Sequence, residues 1–344
     1  MRSADVSALN LSDLERGVAA RDAAAMTELG KRAIAGRAAG RSTHDGASLL
    51  AAAADAGDGE ADALIAVMIG VDAATSGNWT LALGYLERAA FRGWQPARDQ
   101  FALLASDQSL VALASSPAAP RDIWRRLKDT IDMGALTRPP GARVVFETPH
   151  VAVLENFASR AECEWMIGRA RPRMTRASRQ GSYSGTQQPV DAHTNSVTSF
   201  DILAADVVLA VLHARIAAAA GFSTRCLEET TVLHYTRGQK FGPHYDYFDS
   251  TSPTFRDELA RGGQRAATFL VYLNDEFEGG ETALLELKWQ YKGRAGDALF
   301  FRSSDSSGVP DPRTLHAGLA PTSGEKWLLT QLIRQHPPRK PGLT

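Results

Sequence analysis

Cysteine is scarce: Cys163 and Cys226 are the two in 344 residues. Two thiols cannot form a disulfide framework or a four-thiolate zinc site. Reduced thiols in a cytoplasmic protein are the expectation, with a single bridge between the two left open. Long apolar runs are also missing. The longest, around Leu64 to Val71, has about eight residues, where a membrane-spanning helix needs roughly 20. The N-terminus carries Arg2 and Asp5, then Asp13, Glu15 and Arg16, and lacks the apolar core of a secretory signal. Neither sign of charge dominates, with 38 basic and 39 acidic side chains, which excludes a generally basic nucleic-acid binder. A chain 44% apolar and 22% charged reads as soluble and globular. Its length fits about two domains at roughly 150 residues each.

Residues 1–114 are rich in alanine and leucine and poor in β-branched residues, which favours helix. They carry a period near 36: Leu14, Leu50 and Leu86 fall in register, as do Ala25, Ala61 and Ala97, and Gly57 matches Gly93. Each copy reads as a helix, a short Gly-containing turn and a second helix, a unit that buries its apolar face only by stacking. The pattern resembles the short tetratricopeptide-like α/α repeats of the Sel family, which implies a scaffold or a surface for a protein partner. The other reading is an ordinary Ala-rich bundle.

Residues 115–141 form a Pro-containing linker, with breaks at Ser115–Pro120 and Arg138–Gly141 and room for a short helix through Trp124 and Leu127. From 142 to 338 the texture changes to short apolar runs. Strands are expected at Val144–Phe146, Val151–Leu154, Thr230–Tyr235, Thr268–Leu273, Thr282–Leu287, Ala298–Phe301 and Trp327–Ile333. Ser159 and Glu162 form a capping box, and Ala205–Ala220 reads as a helix ended by Gly221. Residues 339–344 are a tail. The fold class is α+β multidomain: helical repeats, then an antiparallel sandwich or barrel with flanking helices.

The chemistry sits in the second part. In an extended chain, His244 and Asp246 point to one face, because side chains alternate. An imidazole and a carboxylate there, joined by a distant histidine, make a facial triad that leaves positions open on an octahedral Fe(II). A His-x-Asp triplet alone is commonplace on protein surfaces. The reading changes because His316 follows in Leu315-His316-Ala317-Gly318, and Lys326 comes ten residues later. That lysine can fix the far carboxylate of an iron-bound 2-oxo acid through a charge-assisted hydrogen bond.

In this order the sequence resembles the prolyl 4-hydroxylase-like family of 2-oxoglutarate- and Fe(II)-dependent dioxygenases over roughly residues 145–336. The landmarks are Tyr235-x-x-Gly238-Gln239, His244-x-Asp246, Arg265-x-x-Thr268, Tyr272-Leu273-Asn274, Gly279-Gly280-Glu281-Thr282, Gly296-Asp297-Ala298-Leu299, His316 and Lys326-Trp327. The resemblance implies a double-stranded β-helix, a distorted jelly roll, with iron on His244, Asp246 and His316. It further implies 2-oxoglutarate held by Lys326 with help from Tyr235, and Thr268 as an additional candidate for that pocket. The implied reaction takes Fe(II), 2-oxoglutarate and O₂, hydroxylates an unactivated C–H bond and releases succinate and CO₂, with ascorbate as the family's usual reductant.

The substrate has two readings: a prolyl or related side chain of a protein or peptide, gripped by the repeats, or a free amino acid or metabolite, with the repeats as scaffold. A non-catalytic interaction protein with a relic barrel is a third, opposed by the intact His244, Asp246, His316 and Lys326. One departure bears on the substrate. Where many members carry an Arg-Thr-Ser-like segment, this chain has His193-Thr194-Asn195. Gly279–Thr282 is expected to be a tight turn, because glycine tolerates positive φ. His234, His213, Tyr245 and Tyr247 are expected to pack, and Trp327 either fills the interior or borders the site. The sequence is silent on oligomeric state.

Overall fold

The computed structural model describes residues 6–117, 119–176 and 194–338. Chain contacts divide it into two compact units. One runs to Leu136 and also takes Ile202–Ala214; the other holds Thr137–Asp201 and the chain from Arg215 onward. His193 and the tail 339–344 lie outside the described residues.

The first unit is helical: α1 (Leu11–Ala19), α2 (Ala23–Ile34), α3 (Thr43–Asp55), α4 (Gly59–Ser76), α5 (Trp79–Phe91), α6 (Gln95–Leu104), α7 (Gln108–Ala114), α8 (Ile123–Lys128) and α9 (Met133–Thr137). The 36-residue period appears in its backbone. The turns between α1 and α2, α3 and α4, and α5 and α6 hold Arg21, Gly57 and Gly93 at φ 58°, 101° and 91°. Asp22 and Asp58 cap the helices that follow with their carboxylates, while Trp94 stands at the third equivalent position without a side-chain bond. Leu14, Leu50 and Leu86 are buried, as are Ala25, Ala61 and Ala97. Small residues are required here: a Cβ on Gly17 would lie 2.5 Å from that of Ala25. No helix is long and apolar enough to cross a membrane among the described residues.

In the second unit, β1 (Arg143–Phe146) and β2 (Val151–Leu154) precede α10 (Arg160–Ala170), which starts at the Ser159–Glu162 capping box. After β3 (Thr175–Arg176) and β4 (Ser196–Phe200) comes α11 (Val207–Ala220), whose residues Val207–Leu212 are apolar and buried without exception. Its first half belongs to the helical unit, where the Val207 amide donates to Gln100 Oε1 at 2.9 Å. In its second half Arg215 is paired with Glu162 at 2.8 Å.

The remaining elements are β5 (Thr230–Tyr235), β6 (Phe241–His244), α12 (Arg256–Gly262), β7 (Arg265–Tyr272), β8 (Phe277–Gly279), β9 (Thr282–Leu284), β10 (Trp289–Tyr291), β11 (Ala298–Arg302), β12 (His316–Gly318), β13 (Pro321–Gly324) and β14 (Lys326–Arg334). They build an eight-stranded sheet in the order β1-β2-β11-β7-β14-β5-β4-β3, a four-stranded sheet β10-β9-β12-β6, and the pair β13-β8. Every recorded pairing is antiparallel. The core lies between the large sheets, with Leu284 of the smaller packed among Val153, Leu233, Leu270 and Leu299 of the larger. This is a double-stranded β-helix. The strand expected over Thr282–Leu287 is instead the hairpin β9–β10, because the chain turns through Lys288 at φ 49°. Cys163 and Cys226 are both buried and unbridged.

Candidate metal centre and cosubstrate pocket

Two strands of the smaller sheet deliver the histidines. His316 on β12 stands opposite His244 on β6 in the register, and Asp246 follows just past the end of β6. One ligand atom from each of the three lies within 4.8 Å of the others, and all three residues are buried. Each imidazole is oriented through Nδ1: that of His244 lies 2.9 Å from the Gly242 carbonyl, and that of His316 lies 3.0 Å from the Thr314 carbonyl. A carbonyl only accepts, so Nδ1 carries the proton and Nε2 presents its lone pair. Those Nε2 atoms lie 3.5 and 3.4 Å from the two carboxylate oxygens of Asp246. Three acceptors converging in a buried spot are the donor set of a divalent cation, and the two-His, one-carboxylate composition suits Fe(II).

The electrostatics agree. Burial alone would raise the Asp246 carboxyl, but His316, His244 and Thr268 together hold it well below the usual carboxylate range. Burial, with His244 beside it, pushes His316 down to about 4, so its imidazole is neutral at pH 7. Thr268 Oγ1 donates to Asp246 Oδ2 at 2.5 Å. The structure thus brings Thr268 to Asp246 of the candidate triad; its hydroxyl is committed to that carboxylate.

Tyr235 and Lys326 are register partners across β5 and β14. Tyr235 lines a cavity together with His244, Asp246, His316 and Thr282. Lys326 is fully buried, donates Nζ–H to the Gly280 carbonyl at 2.7 Å, and has Nζ 5.2 and 5.3 Å from the ring centres of Tyr235 and Tyr272. Burial pulls its pKa down to about 7, with Glu281 acting in the opposite direction. An ammonium has three donors, and this one spends one on a neutral carbonyl. The arrangement fits the distal carboxylate of a 2-oxo acid.

Sequence reasoning missed two parts of this pocket, both in the Gly-Gly-Glu-Thr segment. Gly279 and Gly280 do turn the chain, at φ 67° and 70°. In addition, Gly280 supplies the carbonyl that meets Lys326, and Thr282 lines the cavity with its hydroxyl 2.9 Å from that of Tyr272. The outward-facing residues behave as alternation requires. His234 stacks on Trp327 at 4.1 Å and bonds Glu325, while Tyr245 and Tyr247 stack on each other at 4.6 Å. Of the departing segment, Thr194 exchanges hydrogen bonds with the backbone of Lys240.

A double-stranded β-helix with a buried facial triad and a buried lysine beside the cavity-lining Tyr235 is the architecture of an iron- and 2-oxoacid-dependent oxygenase. Residues 230–334 match the family model of the 2OG-Fe(II) oxygenase superfamily. Probable prolyl 4-hydroxylase 10 of Arabidopsis thaliana is 33% identical over 207 residues, covering 55% of this chain and 70% of that protein. Prolyl 4-hydroxylase 1 of the same plant is 34% identical over 206 residues, covering 56% and 71%. Among solved structures, the viral collagen prolyl hydroxylase of Paramecium Bursaria Chlorella virus-1 is 26% identical with a TM-score of 0.43, covering 55% of this chain and 98% of that one. The chain belongs to the prolyl 4-hydroxylase family of 2OG-Fe(II) oxygenases. It is a 2-oxoglutarate- and Fe(II)-dependent dioxygenase.

Proposed function

We propose that the enzyme hydroxylates a prolyl or related side chain in a protein or peptide, with His244, Asp246 and His316 as the iron ligands and Lys326 as the cosubstrate anchor. The observation that carries this is the buried triad opening into the same cavity as Tyr235, in a chain 33% identical to a probable prolyl 4-hydroxylase. Fe(II), with 2-oxoglutarate and O₂, supplies the oxidising power that converts C–H to C–OH while succinate and CO₂ leave. The chain's own residues do the positioning. Carbonyls of Gly242 and Thr314 aim the two imidazoles, Thr268 holds the carboxylate, and Lys326 holds the distal carboxylate of the acid. Leu233, Leu270 and Leu328 keep the cavity wall apolar and dry.

The repeated helical hairpins, of the short tetratricopeptide-like type, serve in this reading as the grip on an extended polypeptide, since stacked α/α units form concave surfaces. The test is mass spectrometry of proline-containing peptides incubated with the enzyme, Fe(II) and 2-oxoglutarate, beside the H244A variant. A gain of one oxygen on proline, matched by succinate and absent with H244A, is expected. Oxygen gained only by free amino acids or metabolites would overturn the peptide reading.

A further inference from the structure

The metal triad and Lys326 sit on different sheets, yet they must stand at a fixed separation to hold one small acid from both ends. Both are tied to a single strand, β7, and at each end the tie is a side-chain amide. Past the end of β7 the ladder to β14 runs out: the pairings begin at Leu328 with Tyr272, and the Leu273 amide donates to the Trp327 carbonyl at 2.9 Å. Asn274 continues the ladder with its side chain. Its Nδ2 donates to the Glu325 carbonyl at 2.7 Å and its Oδ1 accepts from the Trp327 amide at 2.8 Å, bracketing Lys326.

At the other end, immediately before β7, the buried Gln264 does the same for the chain that follows Asp246. Its Oε1 accepts from the Phe248 amide at 2.6 Å and its Nε2 donates to the Phe248 carbonyl at 2.9 Å. Between them, Arg265 Nη1 donates to the Asp246 carbonyl at 3.2 Å, and Thr268 holds the Asp246 carboxylate. Each bracket needs a donor and an acceptor side by side on one planar group, which the side-chain amides of Asn and Gln provide. Each lies just outside β7, and at the Asn274 end it adds to the pairing of Lys326 with Tyr235 on β5.

We propose that β7 is the spacer that sets the metal-to-lysine separation, with Asn274 the positioning residue for the lysine and Gln264 the positioning residue for the metal ligand. This rests on the reading that Lys326 holds the distal carboxylate. Displacement by about 1 Å at the lysine end loosens the far carboxylate of the acid, whereas displacement at the other end loosens the metal, which saturating metal restores.

The experiment measures cobalt(II) binding, and then 2-oxoglutarate binding at saturating cobalt(II), on the full chain and on N274A, N274D, Q264A and K326A. N274A is expected to weaken 2-oxoglutarate about tenfold and leave cobalt(II) affinity unchanged, and to raise KM for 2-oxoglutarate with kcat within about twofold. N274D, which sets a carboxylate oxygen against the Glu325 carbonyl, is expected to lose at least as much. Q264A is expected to weaken cobalt(II) about tenfold and leave 2-oxoglutarate affinity at saturating metal unchanged. If N274A and Q264A leave both affinities intact, or each lowers both together, the spacer role is overturned while the cosubstrate reading stands on K326A. An unchanged 2-oxoglutarate affinity in K326A removes that reading and the spacer with it. Should N274A fail to fold, N274S carries the same expectation, with thermal melting as the control.

Discussion

Thr268, in the middle of a fully buried strand, donates its hydroxyl to the one carboxylate in the metal triad. It fixes which lone pairs of Asp246 face the two imidazoles. Replacement by valine keeps the shape and removes the donor, so metal affinity is expected to fall about 10- to 100-fold. T268S should restore most of it. Isothermal titration with cobalt(II) reads both, and a valine variant that binds as tightly as the parent would refute the positioning role.

Lys326 makes cosubstrate binding pH-dependent. In the free protein its pKa lies at about 7, lowered from 10.5 by burial. Above pH 7 the amine is largely neutral, and a bound carboxylate selects the charged form. Binding therefore takes up about one proton, and affinity for 2-oxoglutarate weakens as pH rises above 7, by about tenfold per pH unit in the limit. Calorimetry in buffers of different ionisation enthalpy measures the uptake directly.

The same lysine opposes folding of the free protein. The unfolded chain binds its proton up to about pH 10.5, whereas the folded chain releases it at about 7, so stability rises with pH across that window. K326M is expected to melt at higher temperature than the parent at pH 7, with a gain that shrinks toward pH 10, and to lose 2-oxoglutarate binding. A lower melting temperature for K326M would contradict this.

Glu162 closes the capping box of α10 and receives the guanidinium of the buried Arg215 at 2.8 and 3.1 Å. E162Q removes the carboxylate from that buried pair, which is expected to cost about 3–5 kcal/mol. The double variant E162Q/R215M should recover much of the loss. Chemical denaturation of the three variants decides.

In the helical unit, Asp58 caps α4 through the Ala61 amide at 2.9 Å. D58A is expected to destabilise this unit by about 1 kcal/mol. The KM for 2-oxoglutarate should remain as in the parent.

The metal site was legible in the sequence because its signal is local at each end: His-x-Asp on an extended segment, and a histidine followed at fixed distance by a lysine. The helical hairpins were legible because a 36-residue period repeats both the buried leucines and the turns. What escaped were relations that alternation cannot encode. Thr268 was assigned to the cosubstrate pocket because nothing in sequence says which side of β7 meets Asp246. Gly280 turns the chain as its sequence implies, but the carbonyl it offers Lys326 leaves no mark in the sequence. The strand expected through Leu287 overran because Lys288 is a non-glycine residue in the left-handed region, where sequence rarely places one. The first half of α11 packs with helices far earlier in the chain, and its uniform apolarity shows that it is buried without showing against what.

Arg21, Gly57 and Gly93 recur at one interval, each with positive φ in its turn. The length of the helical unit is therefore quantised. Excising residues 57–92 would join Ala56 directly to Gly93, restoring a helix-turn-helix joint of the same kind, whereas a deletion that is not a whole number of periods would break the register of the turns. Variants of this unit that retain a folded core should accordingly differ from it in whole copies of the hairpin, each adding a fixed increment of surface.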